Sequence, residues 1–339
     1  MSTTAIVILN WNGKHYLERF LRNIIDRSKS PGVKVVIADN GSTDGSQEWI
    51  TKNFPAITLI ELGANYGFTG GYNRALNYIE ADYYMLLNSD VEVTKDWLTP
   101  LINAFDNNPL IGICMPKIKS AFEKEHFEYA GASGGFIDYL GYPFCRGRIL
   151  SNIEEDCAQY NTDSEIFWAS GAAFMIRSSL YRELGGFDET FFAHMEEIDL
   201  CWRAKLHGWQ VWVFPDSLVY HVGGGTLPNN SPKKLYLNYR NNLLMLYKNL
   251  PYRRLHITLF LRMILDGMSA ILYMVQGKKE LVSSVWEAHR HFREMRKEIV
   301  RDELICNKEV NGVYRGSIVL LFFLSLKRLR FISIGANIR

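Results

Sequence analysis

Residues 33–45 read Val33-Lys34-Val35-Val36-Ile37-Ala38-Asp39-Asn40-Gly41-Ser42-Thr43-Asp44-Gly45, a β-branched run that ends abruptly in a cluster of turn formers. Val and Ile pack well on a pleated sheet, whereas Asp, Asn, Gly and Ser satisfy the backbone locally in turns. The run therefore predicts a strand, and its continuous apolar character predicts burial on both faces, as in a parallel sheet. Working outward, residues 5–9, 57–62 and 83–87 have the same character. Between them, 14–26, 46–53, 71–80 and 96–107 place apolar residues at helical spacing, with Ser46 and Asp96 where N-caps belong. This alternation predicts an α/β fold with a doubly wound, mostly parallel sheet flanked by helices, whose ligands gather at the carboxyl ends of the strands. The chemistry should therefore lie in the loops after these strands.

The rest of the 339-residue chain divides at Pro232. Residues 119–164, punctuated by glycines among aromatics, read as an insertion near the site. Residues 165–222 return to strand-like (167–176, 210–214) and helix-like (178–184, 196–206) patterns. Beyond Pro232 the pattern is purely helical, at 235–249, 255–276, 280–301 and 317–334. Two units follow, 1–232 for the sheet domain and 233–339 for a helical C-terminal extension. A composition of 47% hydrophobic residues with only 10 prolines excludes a disordered or collagen-like chain. Five scattered cysteines without a C-x-x-C exclude a disulfide scaffold and read as reduced thiols.

The net charge of +2 conceals an asymmetry. Residues 233–339 hold 20 Lys+Arg against 8 Asp+Glu, and the rest 18 against 28. A basic segment meets phosphate, in nucleic acid or in lipid headgroups, or is simply a solvated helical surface. The tail is also apolar, which favours a membrane surface over nucleic acid. Within 257–276, Arg262 and Asp266 interrupt the apolar run at i, i+4, which suits a protein-packed helix rather than a span. Residues 317–326 are too short to cross a bilayer and are followed by Lys327, Arg328 and Arg330, so they suit its interface. The expectation is a membrane-associating tail whose deletion from 317 onward releases the protein. No basic segment precedes the first strand, which predicts a cytoplasmic protein peripherally attached to the inner face of the cell membrane.

Four places gather reactive side chains. Asp39 ends the second strand and suits a base or ribose, although its loop is also ordinary turn chemistry. In Leu87-Asn88-Ser89-Asp90-Val91-Glu92, two carboxylates stand two residues apart and repel unless they share a cation. A divalent ion, Mn2+ or Mg2+, held by carboxylates and substrate phosphates, is the simplest compensation. Glu196-Glu197-Ile198-Asp199 opens a helix, where the macrodipole favours acids regardless of function. His221 precedes Gly223-Gly224-Gly225-Thr226 and suits either a metal site or the core. Near these, Trp168-Ala169-Ser170-Gly171 and Phe191-Phe192-Ala193-His194 offer aromatic faces to a sugar or to the core.

These motifs occur in the order of a known pattern. Ile6-Val7-Ile8-Leu9-Asn10-Trp11-Asn12, Asp39-Asn40-Gly41-Ser42-Thr43-Asp44-Gly45, Asn65-Tyr66-Gly67-Phe68-Thr69-Gly70-Gly71-Tyr72-Asn73, Asn88-Ser89-Asp90-Val91-Glu92-Val93, Gly185-Gly186-Phe187-Asp188-Glu189 and Glu196-Glu197-Ile198-Asp199-Leu200-Cys201-Trp202-Arg203 together resemble the family 2 glycosyltransferases. Within them the chain is similar to the rhamnosyltransferase-type branch, over residues 4–250. The resemblance implies a GT-A fold, a nucleotide-diphosphate sugar donor, a divalent metal and inversion at the anomeric carbon. It places Asn10, Asn12, Asp39, Asn65, Gly67, Gly71, Asn73 and Ser89 around the donor nucleotide. It places Asp90, Glu92 and His221 at the metal, and Glu197 at the catalytic base with Glu196 and Asp199 as rivals. Trp168, Gly171 and His194 then face the acceptor, a glycan or a polyprenyl-diphosphate-linked sugar of cell-surface polysaccharide synthesis. The sequence departs from the pattern at Asn88, where the metal motif usually begins with Asp, and at Glu197, where the base is usually Asp. A displaced carboxylate of ~1 Å can cost ~100-fold in rate. The competing functions are a nucleotide-sugar-binding scaffold without turnover, suggested by Glu197, and a sugar nucleotidyltransferase. The latter is disfavoured because no Gly-rich loop with a phosphate-binding Lys or Arg lies near the amino terminus. No G-x-G-x-x-G follows the first strand, which excludes a dehydrogenase.

Overall fold

The structure is a computed structural model that describes residues 2–223, 231–334 and 338. Gly224, Gly225 and Thr226 of the glycine run lie outside the described residues. The amino-terminal half runs β1 (Thr4–Asn10), α1 (Lys14–Arg27), β2 (Val33–Asp39), α2 (Ser46–Asn53), β3 (Thr58–Glu61), α3 (Gly67–Leu76), β4 (Tyr83–Asn88), β5 (Val91–Val93), α4 (Thr99–Asn107) and β6 (Ile111–Ser120). β1 lies between β2 and β4 in parallel register, with Asn10 level with Asp39 and Leu9 level with Asn88. Ala5, Ile6, Val7 and Ile8 are fully buried, and α1 covers them with Leu17, Phe20, Leu21 and Ile24, one helical face. The carboxyl ends of β1, β2 and β4 thus open on one edge.

The insertion forms β7 (Gly135–Asp138), β8 (Pro143–Cys145), β9 (Arg148–Ile149) and β10 (Asn152–Ile153). The chain returns through β11 (Ser164–Glu165), β12 (Ala173–Arg177), α5 (Ser178–Glu183), α6 (Glu196–Leu206) and β13 (Gln210–His221). The main sheet has the order β11-β13-β6-β12-β4-β1-β2-β3, with β5 on β13. β12 runs antiparallel between β4 and β6, so the sheet is mixed: its main parallel part is β4-β1-β2-β3, and β6 and β13 form a separate parallel pair. The remainder is α7 (Pro232–Asn249), α8 (Tyr252–Val275), α9 (Lys279–Met295), α10 (Glu303–Cys306), β14 (Val313–Tyr314) and α11 (Ile318–Leu324).

Several boundaries and caps differ from the expectation. α2 spans Ser46–Asn53 as expected, but Ser46 is its first residue rather than its cap; Gly45 holds that position at φ 77°, and Asp44 accepts the Ser46 N–H at 3.1 Å. Leu98, not Asp96, precedes α4. α3 starts at Gly67 rather than 71, because the Asn65 side chain accepts the Gly67 N–H at 2.9 Å and so fixes the first turn. The expected strand 167–176 shrinks to Ala173–Arg177, since Phe167 donates its N–H to Gly135 in the insertion.

The carboxy-terminal region is not purely helical. β14 pairs with β7 and completes a second sheet, β10-β9-β8-β7-β14. Phe331 lies against Phe136, Phe144 and Tyr160, and its N–H is accepted by Glu154 at 2.9 Å. Contacts also cross the 232–233 junction, where α7 packs on α6.

Candidate functional site

At the edge of the parallel strands, the Asp39 carboxylate is fully buried and accepts from the Asn10 amide (3.0 Å), the Gln47 amide (2.7 Å) and the Ser42 N–H (2.9 Å). It is an organiser of the β2–α2 loop as well as a candidate for the nucleotide. Asn12, at φ 50°, accepts the Thr43 N–H at 2.7 Å and donates its own N–H to Ser42. The two loops are thereby stitched into one wall. Asn10 Oδ1 is buried without a partner, and a Cβ on Gly13 would come within 2.6 Å of it and 3.3 Å of Ser89 Oγ. Asn10, Gly13 and Ser89 therefore meet at the ends of β1 and β4.

Across from them, Asn65 accepts from Gly67 and from the Asn40 amide (3.2 Å), and Asn40 accepts the Tyr66 N–H. Gly71 permits close packing, since a Cβ there would approach Leu9 at 2.8 Å. Asn73 requires a correction. Its carbonyl oxygen accepts from Tyr181 OH (2.5 Å) and Phe187 N–H (3.0 Å), and its amide donates to Phe187 O and Glu189, so it ties α3 to the Gly185–Gly186 turn. All its polar atoms are spent on that joint.

Strand pairing brings the metal candidates together. β5 lies on β13 with Val91 opposite His221, which sets His221 Nε2 3.1 Å from Asp90 Oδ1. His221 Nδ1 is buried without a hydrogen bond among the described residues and lies 3.5 Å from Glu128 Oε1. Burial alone would lower the His221 pKa, but the Asp90 and Glu128 carboxylates outweigh it and push it up to about 10. The donor set fits a divalent ion, because carboxylate oxygen and imidazole nitrogen together suit Mn2+ and leave positions for phosphate oxygens. Among the described residues no three His, Cys, Asp or Glu are grouped to hold a metal alone. Glu92 does not join this pair; Lys124 takes its carboxylate at 3.2 Å. That ion pair, rather than a shared cation, relieves the repulsion expected between Glu92 and Asp90.

The acids of α6 divide sharply. Asp199 is fully buried and clamped by Arg203 (2.8 Å), Lys248 (3.0 Å) and the Asn249 amide (2.8 Å). Burial would raise its pKa, but Lys248 and Arg203 dominate and hold it at about 2, so this rival for the base is an anchor between α6 and α7. Glu196 and Glu197 each have one buried oxygen without a partner. Burial, with the neighbouring Glu197 and Asp199, pushes Glu196 well up. Burial also raises Glu197, to about 7, against the pull of nearby backbone N–H groups including that of Gly171. A Cβ on Gly171 would lie 3.8 Å from Glu197 Cδ, so Gly171 borders the carboxylate.

The loop entering α6 is bent by three non-glycine residues at positive φ, Phe192 (63°), His194 (71°) and Met195 (73°). Such conformations cost energy and persist only where the surroundings impose them. Here Asn241 of α7 donates its amide to the carbonyls of Phe191, Ala193 and His194 at 2.8–2.9 Å. Phe68, in the first turn of α3, donates its N–H to Phe192 O at 2.9 Å. His194 is held down to about 4 by burial and Lys234, and its Nε2 has no partner. It is a neutral polar group in the loop that enters α6. Trp168 is corrected to a core residue: its Nε1 donates to Phe136 O at 3.0 Å and its ring lies on Gly135.

The family model described as glycosyl transferase family 2 matches residues 5–185. The chain belongs to glycosyl transferase family 2. This glycosyltransferase is 27% identical over 231 residues to the N-acetylglucosaminyl-diphospho-decaprenol L-rhamnosyltransferase of Mycobacterium tuberculosis, covering 64% of the chain and 75% of the relative. It is 22% identical over 217 residues to the rhamnosyltransferase WbbL of Escherichia coli K12, covering 62% and 80%. Its likeness within the family is thus to rhamnosyltransferases. Among solved structures, GalNAc-T7 with UDP, GalNAc and Mn2+ aligns at a TM-score of 0.59 and 14% identity, over 97% of the chain but 58% of that structure, less than two thirds of its length. The mannosyltransferase PcManGT of Pyrobaculum calidifontis, with GDP-Man and Mn2+, aligns at 0.54 and 12% identity, over 86% and 87%. These two show the GT-A type of fold.

In this family 2 glycosyltransferase, the ends of β1, β2 and β4, the Asp90–His221 pair and the Glu197–Gly171 contact are held on one framework. Glu128 and Asn241 were missed by the sequence reading. Glu128 lies in the irregular insertion, and Asn241 sits within an ordinary helical repeat, so neither carried a local signal.

Proposed function

We propose that the chain is an inverting, metal-dependent glycosyltransferase. It moves a sugar, with rhamnose the first candidate, from a nucleotide-diphosphate donor to a hydroxyl of a glycan or polyprenyl-diphosphate-linked acceptor in cell-surface polysaccharide synthesis. The observation that carries this reading is Glu197: alone among the three acids of the first turn of α6 it is a partly exposed residue, its carboxylate borders the backbone at Gly171, and burial of that carboxylate raises its pKa to about 7. That is where a general base works best at physiological pH.

The stitched loops around Asn10, Asn12, Asp39 and Ser42 seat the nucleotide, and Ser89 with Asp90 faces its diphosphate. Glu197 takes the proton of the acceptor hydroxyl while that oxygen attacks the anomeric carbon and the bond to the diphosphate breaks. A single displacement of this kind inverts the anomeric carbon. Mn2+ or Mg2+, held by Asp90 and His221, would neutralise charge on the departing diphosphate. Neutral His194 and the Gly171 backbone line the acceptor side. In this reading residues 1–232 perform transfer and 233–339 brace α6. The likeness to the mycobacterial N-acetylglucosaminyl-diphospho-decaprenol L-rhamnosyltransferase supports work on a lipid-borne sugar, and the enzyme would meet it at the cytoplasmic face of the membrane.

Calorimetric titration of dTDP, UDP and GDP, with and without Mn2+, tests the reading on the wild type and on Asp90→Ala. The expected result is metal-dependent binding of one nucleotide that the variant loses. Absence of binding by every nucleotide overturns the donor site, and binding without sugar transfer or donor hydrolysis supports a scaffold instead.

A further inference from the structure

α8 is built inside out. Arg262 and Asp266, its only Lys, Arg, Asp or Glu beyond residue 254, both point into the protein. Arg262 donates to Leu140 O and to the Asn242 side chain, while Asp266 accepts from His289 (3.0 Å) and Tyr142. The outward stripe is wholly apolar: Ile257, Phe260, Ile264, Met268, Ile271 and Val275 recur at helical spacing and are 47–80% exposed. By length and composition the helix could cross a membrane, at a mean hydropathy of 1.5. Its inner side, however, is packed against α7 and α9, so it can lie on a bilayer but not cross one.

A second observation extends this surface. Tyr139 receives the Arg254 guanidinium from the first turn of α8 on its carbonyl and donates its N–H to Gly316 O, just before α11. Tyr139 thus ties the start of α8 to the approach to α11, which too turns Leu320, Phe323 and Leu324 outward, followed by exposed Lys327 and Arg328. Exposed cations also bracket α8, Arg253 at one end and Lys278 with Lys279 at the other. Positive charge at both ends suits a helix lying in the plane of an anionic surface. A second copy of the chain is the poorer occupant, since a two-fold contact through this face would set basic rims against each other.

We propose that the outward face of α8, together with the exposed side of α11, seats the protein on an anionic lipid bilayer. This deepens the membrane part of the functional reading and uses none of its chemistry. On the inner side of the same helix, Arg262 holds Asn242, whose amide lies 3.9 Å from the Met195 sulfur at the start of α6.

The test is co-sedimentation of the full chain with vesicles of phosphatidylcholine alone or with about one third phosphatidylglycerol. The wild type is expected to pellet with the anionic vesicles only. Phe260→Glu with Met268→Glu should lower the partition about tenfold or more, because two charges enter the apolar stripe. Tyr78→Glu, on an exposed residue far along the sequence from α8, should bind as the wild type does. All variants change exposed side chains, and unchanged circular dichroism and Tm confirm that they fold. Wild type left in the supernatant, equal binding to neutral vesicles, or an unaffected double variant overturns the proposal. So does a soluble dimer that the same substitutions convert to monomer. No turnover is read, so failure here leaves the sugar-transfer reading standing.

Discussion

Glu197 and Asp199, two positions apart on α6, show how surroundings set the job of a carboxylate. Asp199 is surrounded by two cations and an amide and stays ionised, whereas Glu197 has burial against it and, among the described residues, no ion pair. A base must be deprotonated to act, so kcat/KM should rise with pH through about 7 and level off above it. Glu197→Gln should remove that limb and lower kcat by about 100- to 10,000-fold, with donor binding retained in the calorimeter. Glu197→Asp, which shortens the arm, should lose about 100-fold if the backbone is set for Glu. An unchanged pH profile in Glu197→Gln would hand the role to Glu196. These residues were legible as a group because their motifs are contiguous. Their separate fates were not, because the partners that decide them are remote: Lys248 for Asp199, Tyr181 and Phe187 for Asn73, Gly135 for Trp168.

The strained turn before α6 depends on α7. Asn241 donates to three carbonyls of the turn, those of Phe191, Ala193 and His194, and it thereby holds Phe192, His194 and Met195 at positive φ. Asn241→Ala should free the turn. The expected outcome is a fall in kcat of about tenfold or more, with little change in donor affinity and Tm lowered by a few degrees. Steady-state kinetics set beside nucleotide titration separate this from a general loss of fold, which would weaken both. The strands of the parallel part were legible to within one or two residues, since each is a buried β-branched run closed by turn formers. Helix starts were less so. Side chains just outside the helix decide them, Asn65 for α3 and Asp44 for α2, and their competition with the usual cap residues is not visible in periodicity.

Across the whole molecule, residues 317–339 were expected to be a membrane-associating tail whose deletion releases the protein. The inner side of that segment also supplies Ile318, Phe322, Phe331 and Ile334 to the core, and Ile318 donates its N–H to Asp138 at 2.8 Å. Deleting residues 317–339 should therefore do more than loosen membrane attachment. It should uncover Phe136 and Phe144, raise binding of an apolar dye and speed proteolysis within 130–155, while the parallel part of the sheet keeps its protection in hydrogen exchange. A truncated chain with wild-type proteolysis would show that the small sheet stands without it. A single sequence hides such a joint, because two-residue strands carry almost no pattern and their pairing is a matter of distance along the chain.

The pairing of β14 with β7 also orders events in time. Contacts in the parallel part form largely between segments that follow one another, so that part can assemble while translation is still under way. The small sheet cannot. Its last strand and the ring of Phe331 reach it only after α7, α8 and α9 have been made. Until then a nascent chain presents an open strand edge at β7 and bare phenylalanines, the kind of surface that chaperones hold. The final act of biogenesis is thus the closing of a clasp, and the small sheet is the last part of the molecule to be completed.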